Sequence, residues 1–168
     1  MEAIFNRRSV RKYKDQVVEK DKIIELLKAA MQAPSAGNQQ PWEFIVVQEK
    51  HTLKELSLAS PFAKFVEDAP LAIVLLSDEE RLKYPQNWQQ DMGAAAENIL
   101  LEATDLGLGG VWLGVAPFED REENIKNLFQ LNDNLRPYCV IALGYPAEGL
   151  GNKFIDRYDE SRVHFEKI

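Results

Sequence analysis

Residues 70–77 read PLAIVLLS, an almost unbroken apolar run without a single charge. A strand with one face in water alternates apolar and polar residues; this one does not. It predicts a central strand buried on both faces, so other elements must cover the sheet on either side. Neither this run nor LGLGGVWLGVAPF (106–118) approaches the roughly 20 residues needed to cross a bilayer. At 168 residues, 45% of them apolar and 28% charged, the chain predicts one globular domain and excludes disordered or collagen-like structure. Cys139 is the lone cysteine, so no intrachain disulfide and no cysteine metal cluster can form. The start, MEAIFNRRS, lacks the apolar stretch of a secretory signal. The expectation is a soluble, cytoplasmic protein.

The neighbours of the central run supply its cover. Residues 43–48 (EFIVVQ), 109–114 (GGVWLG) and 137–144 (PYCVIALG) read as further strands. Residues 2–6, 19–33, 51–59, 87–106 and 117–131 read as helices. The second of these places Ile23, Leu27, Ala30 and Met31 on one apolar face, and Pro34 stops it. Ser60-Pro61 signals another helix start. Asn87 is the expected cap of the fourth helix, whose Gly93-Ala94-Ala95-Ala96 patch lets another backbone approach, and Gly107 is its expected stop. The result is a three-layer α+β or α/β sandwich around four or five strands. The last 24 residues, 145–168, are polar but carry Phe154, Tyr158, Val163, Phe165 and Ile168. They pack either on the body or on a partner subunit.

Net charge is −7, unevenly spread: residues 1–14 carry +4 and the rest −11. An acidic body disfavours nucleic acid and membrane surfaces. A basic start suits a small anion. The chain has no Walker phosphate loop, no G-x-G-x-x-G, no G-x-S-x-G and no histidine in a zinc pattern. No metal site is expected. What remains is RRSVRKY (7–13), whose arginines offer planar forks of donors; PSAGNQQPW (34–42), in which Gly37 permits unusual angles and Ser35, Asn38, Gln39 and Gln40 can read heteroatoms on a ring edge; and GLGGVWLG (107–114), where glycines admit either a ligand or a close-packed helix. Lys153 and Arg157 in the tail are further cations. Trp42, Phe62, Phe65, Tyr84, Trp88 and Trp112 are candidates for apolar channel walls or for the core.

Taken in order, RRSVRKY, PSAGNQQPW, the D-x-G-x-A-x-x-N helix from Asp91 to Asn98 running into LGLGGVWLG, and IALGYPAE resemble the flavin-dependent nitroreductase superfamily over nearly the whole chain. The chain looks like a compact member without long insertions. The resemblance implies a mixed central sheet flanked by helices, in an intertwined homodimer with FMN at the interface. Residues 1–168 would form one such domain, with 145–168 embracing the partner.

The resemblance further implies that Arg7 and Ser9 bind the FMN phosphate and ribityl chain, with Arg8 contributing mainly through backbone and stem. Arg11 would sit at the N1/C2 carbonyl edge, where charge collects once hydride reaches N5, so that a fixed cation favours the reduced ring. Pro34, Ser35, Ala36 and Asn38 would reach the flavin of the other subunit, Ala36 replacing a serine frequent in the family. Backbone N–H groups of Leu113 and Gly114 would approach N5 and O4. Arg157, assisted by Lys153, would return to the phosphate, and Lys64 would lie near the ring. The implied activity is ping-pong hydride transfer from NAD(P)H through FMN to a nitroaromatic, quinone or other small conjugated acceptor. The alternative is a flavin-holding redox sensor without turnover.

Overall fold

A computed structural model describes residues 2–168. In chain order the elements are α1 (Glu2–Asn6), α2 (Lys20–Met31), β1 (Trp42–Val47), α3 (Lys50–Ser57), β2 (Leu71–Asp78), α4 (Trp88–Asp105), β3 (Gly109–Gly114), α5 (Glu119–Phe129) and β4 (Leu135–Gly144). The four strands form one sheet in the order β1-β2-β4-β3. The apolar run is β2, with Leu71 through Ser77 all buried, paired on both edges as its composition requires.

Every pairing of named strands is antiparallel. The parallel component is a single bridge, Ser9 to Gly110, on the outer edge of β3. The N-terminal segment runs beside that edge without becoming a strand: Val10 N–H donates to the Gly110 carbonyl at 3.0 Å, but Arg8 N–H donates to the Asn152 side chain.

Successive β2 residues face opposite sides of the sheet, and so build two cores. Leu71, Ile73 and Leu75 pack with α2 and α4, including Leu26, Met92, Ile99 and Leu100. Ala72, Val74 and Leu76 pack with Leu53 and Leu56 of α3 and Ile125 of α5. The three-layer α+β arrangement follows.

The buried stripe of α2 is Ile23, Leu26 and Ala30, with Leu27 half-buried, while Met31 stays exposed. Ala30 lies about 20° around the helix from Ile23 and Met31 about 80°. Asn87 stands at the N-cap of α4 as expected but makes no capping hydrogen bond; its side-chain amide donates to Gln90 Oε1 at 2.9 Å. The far end of α4 behaves as the sequence predicts. Gly107 takes φ +75°, Leu108 N–H reaches the Ala103 carbonyl at 2.7 Å and Gly107 N–H the Thr104 carbonyl. Ser60-Pro61 begins a turn, closed by Phe62 N–H on Ser60 Oγ, and the helix that follows is a short 3₁₀ turn, Lys64–Asp68. No helix among the described residues is long and apolar enough to cross a membrane.

Residues 145–153 return to the N-terminal segment. Ala147 N–H donates to the Lys12 carbonyl, Asn152 Nδ2 to the Leu108 carbonyl and Lys153 N–H to the Asn6 carbonyl. Beyond that the tail lies open: Phe154, Tyr158, Phe165 and Ile168 are all exposed, so within this chain it does not bury its apolar side chains.

Candidate functional site

The strand order makes β3 an edge, and that edge organises the chemistry. Because Gly110 turns its carbonyl outward to Val10, alternation turns the backbone groups of Trp112 and Gly114 outward too, and those of Val111 and Leu113 toward β4. Gly114 thus has its N–H on the open edge. Leu113 contributes a side chain, not a free N–H, which corrects half of the expected donor pair.

A pocket of about 420 Å³ lies there, lined by Arg11, Ser60, Phe62, Phe65, Leu113, Gly114 and Arg121, among others. The Arg11 guanidinium lies 5.9 Å from the centre of the Phe65 ring. Arg121 donates to the Gly114 carbonyl at 2.9 Å and lies 3.9 Å from the Phe118 ring centre. Phe62, Phe65 and Trp112 therefore do serve as pocket walls, whereas Trp42 and Trp88 are core. Trp112 also meets Tyr138 edge-on at 5.6 Å, and Tyr138 meets Trp88 at 5.6 Å. Burial pushes the Tyr138 phenol up to about 12, so it stays protonated. Lys64 lies exposed on its 3₁₀ turn and does not line the pocket.

A second pocket, about 310 Å³, brings together Arg7, Arg8 and Arg157 with Phe5 and Phe154. Arg7 Nε pairs with Glu97 of α4 at 3.3 Å. The Arg8 backbone N–H is held by Asn152 Oδ1 at 3.1 Å, and its Nη1 donates to the Arg7 carbonyl. Its Nε and Nη2 are buried with no acceptor. Burial, then the Arg157 and Arg7 charges, lower its pKa. Arg8 lines this pocket, with part of its guanidinium buried among these groups. Ser9 is exposed at the bridge to Gly110 and lines neither pocket. Lys153 is tied through its backbone to Asn6 and does not line the pocket.

The loop PSAGNQQ is elsewhere, against the start of α4. Gly37 has φ +55°, and a Cβ there would lie 2.4 Å from the Tyr84 ring, so only glycine fits. Asn38 and Gln40 share the left-handed backbone. Ser35 Oγ accepts the Gln40 N–H at 3.0 Å. Asp91, buried, accepts the Ala36 N–H at 2.9 Å and the Gln39 amide. Gln39 Oε1 accepts both the Lys83 and Tyr84 N–H groups at 2.9 Å. Gln39 is thus consumed internally and reads no ligand. Pro34, Ser35, Ala36 and Asn38 line neither arginine pocket.

The glycines of β3 divide in use. A Cβ at Gly109 would meet Val10 at 2.7 Å and one at Gly110 would meet Leu143 and Leu100 at about 3 Å, whereas one at Gly114 would meet nothing. Close packing explains the first two and leaves Gly114 open.

Asp91, Gln39 and Arg121 are the residues whose roles the sequence did not reveal. Arg121 sits among acids in PFEDRE (117–122), and only the fold turns it toward Gly114.

A family model described as the nitroreductase family matches residues 4–61 and 57–145. A Methanothermobacter thermautotrophicus protein provisionally named NADH dehydrogenase/NAD(P)H nitroreductase is 46% identical over 99% of this chain and 86% of its own. A Clostridium acetobutylicum crystal structure, provisionally named an NADH oxidase, is 58% identical with TM-score 0.97, covering 99% of both chains. A Clostridium difficile structure described as an FMN-dependent nitroreductase is 35% identical with TM-score 0.90, covering 99% of this chain and 98% of its own.

Proposed function

Because this chain belongs to the nitroreductase family, we propose that it is an FMN-dependent oxidoreductase that carries reducing equivalents from NAD(P)H to a nitroaromatic, quinone or other conjugated acceptor. The observation that carries this reading is Arg8. Two buried guanidinium donors without an acceptor, beside Arg7 and Arg157, form a donor set suited to a phosphate dianion. A terminal phosphate answers them; an uncharged ring does not.

Arg7, Arg8, Ser9 and Arg157 would hold the phosphate end of FMN, with Lys153 adding charge nearby. Arg11 would face the ring, and the outward N–H of Gly114 would donate to it. Pro34, Ser35, Ala36 and Asn38 would complete the site of a second protomer, with Lys64 at its rim. When bound, FMN supplies the two-electron chemistry, accepting hydride from NAD(P)H and yielding it to the acceptor. Arg11 favours the reduced ring by placing fixed positive charge where negative charge develops. Phe62, Phe65 and Trp112 exclude water from the reacting face.

Residues 1–168 form a single domain in this reading, and the working unit is a homodimer. Its support is the exposed apolar tail of residues 145–168, together with a PSAGN loop that reaches neither arginine pocket of its own chain. A reducing cytoplasm fits the lone, buried Cys139 thiol.

The test is direct. The purified protein should carry flavin absorbance, run as a dimer in light scattering, and oxidise NAD(P)H with menadione or nitrofurazone. A colourless protein that ignores added FMN overturns the reading. Tight FMN with no hydride transfer instead marks a flavin-holding redox sensor.

A further inference from the structure

Arg121 is the third residue of α5. Its guanidinium lies 3.9 Å from the Phe118 ring centre and 5.7 Å from that of Phe62. Across the same pocket Arg11 lies over Phe65. The pocket thus presents two arginines, each set against a phenylalanine, and none of its lining residues is a carboxylate. Among the described residues no carboxylate pairs with Arg121, although Glu119, Asp120, Glu122 and Glu123 are its sequence neighbours. Glu122 is instead held by Arg136 at 2.9 Å and 3.2 Å.

Holding the Gly114 carbonyl uses one N–H of Arg121. A guanidinium carries five, in a plane that matches a carboxylate fork. A guanidinium stacked on a ring is more weakly hydrated than an ammonium, so it gives up less water to take an anion. In a chain of net charge −7, a pocket with two cations and no acid selects the sign of what enters. The phenylalanine walls select flatness.

We propose that Arg121 is a specificity residue and that the acceptors of this site are planar aromatic compounds bearing a carboxylate or equivalent anionic group on the ring. This rests on the oxidoreductase reading above and names its substrate class. With 4-nitrobenzoate as probe, the reaction consumes NAD(P)H and one proton and yields 4-nitrosobenzoate, NAD(P)⁺ and water. One N–O bond breaks, the nitrogen gains two electrons, and the nicotinamide is the species oxidised. The carboxylate is unchanged and serves only to bind.

The experiment compares 4-nitrobenzoate with 4-nitrobenzamide, which differ in charge far more than in shape, using the parent protein, Arg121→Gln and Arg121→Lys. The ratio of kcat/KM for acid over amide should fall about tenfold in Arg121→Gln, mostly through KM. Arg121→Lys should fall between, keeping the charge without the planar fork. Calorimetric titration of the purified protein with benzoate and benzamide reads the same preference without turnover, and it should shrink by a similar factor. Equal losses for acid and amide, or an unchanged ratio, overturn the proposal. So does a variant whose NADPH KM rises while the acid-to-amide ratio holds, since Arg121 would then serve the nucleotide. A protein without flavin sinks the oxidoreductase reading; the calorimetric ratio then decides on Arg121 alone.

Discussion

Gln39 donates its side-chain amide to Asp91 Oδ2 at 2.5 Å, joining residues 52 positions apart in the sequence. Through that contact the PSAGNQQ loop, the Lys83–Tyr84 backbone and the first turns of α4 become one unit.

Asp91→Asn should turn an amide donor toward the Gln39 amide. A buried donor left unpaired costs roughly 1–3 kcal/mol. Combining it with Gln39→Glu reverses the polarity of the pair. The introduced carboxylate then accepts from the introduced amide and still accepts from the Lys83 and Tyr84 N–H groups. The amide oxygen brought in by Asp91→Asn still accepts from Ala36. Urea unfolding of both single variants and the double variant should therefore show strong favourable coupling. Additive losses would mean that the pair does not act as a unit.

Arg7 and Arg11 should fail differently. Arg7→Ala should weaken FMN binding about tenfold by removing a charge-assisted phosphate contact. Glu97→Gln frees Arg7 from its present partner and should tighten FMN binding. Arg11→Ala should leave more of the affinity intact but lower the flavin potential and slow reduction. Fluorescence titration reads the first two and spectroelectrochemistry the third. Indistinguishable effects would refute the division of labour.

Gly109→Ala places a methyl group 2.7 Å from two Val10 carbons. Overpacking of this kind typically costs about 1–3 kcal/mol. Gly109→Ala with Val10→Ala should recover part of it. Thermal denaturation checks both, and a null effect would show that the N-terminal segment lifts away easily.

Asp78 links strand to loop: it accepts from Asn134 at 2.8 Å, from Glu80 N–H and from Arg81. The Asn134 hydrogen bond above all holds its carboxyl below the ordinary 3.8. The stabilising share of Asp78 is therefore complete above about pH 4 and disappears as pH falls through the lowered folded value. As pH falls below about 4, Asp78→Asn should lose less stability than the parent, because it has no carboxylate to protonate. Parallel curves would count against the linkage.

How much of this was legible in sequence depends on the range of the forces involved. The burial of β2 was legible because no polar residue interrupts residues 70–76, and the stop of α4 because Gly107 alone tolerates φ +75° there. The antiparallel pairing was not, since composition fixes the burial of a strand and not its direction. Arg7, Arg8 and Arg157 were legible as cations, yet their convergence depends on a tail folding back from the far end of the chain. Gln39 misled because a polar side chain in a loop reads as available, and only the fold shows its acceptor and donor occupied. Arg121 was hidden by the acids beside it, of which Glu122 is taken by Arg136.

The outer edge of β3 is held at both ends from within the chain: Val10 N–H takes the Gly110 carbonyl and Arg121 takes that of Gly114. What stays open between them is too short to template another strand. The protein can thus keep bare amide groups beside the Arg11–Arg121 pocket without recruiting a neighbouring molecule into a growing sheet. Loss of the Val10 clamp should surface first in shelf life and precipitation.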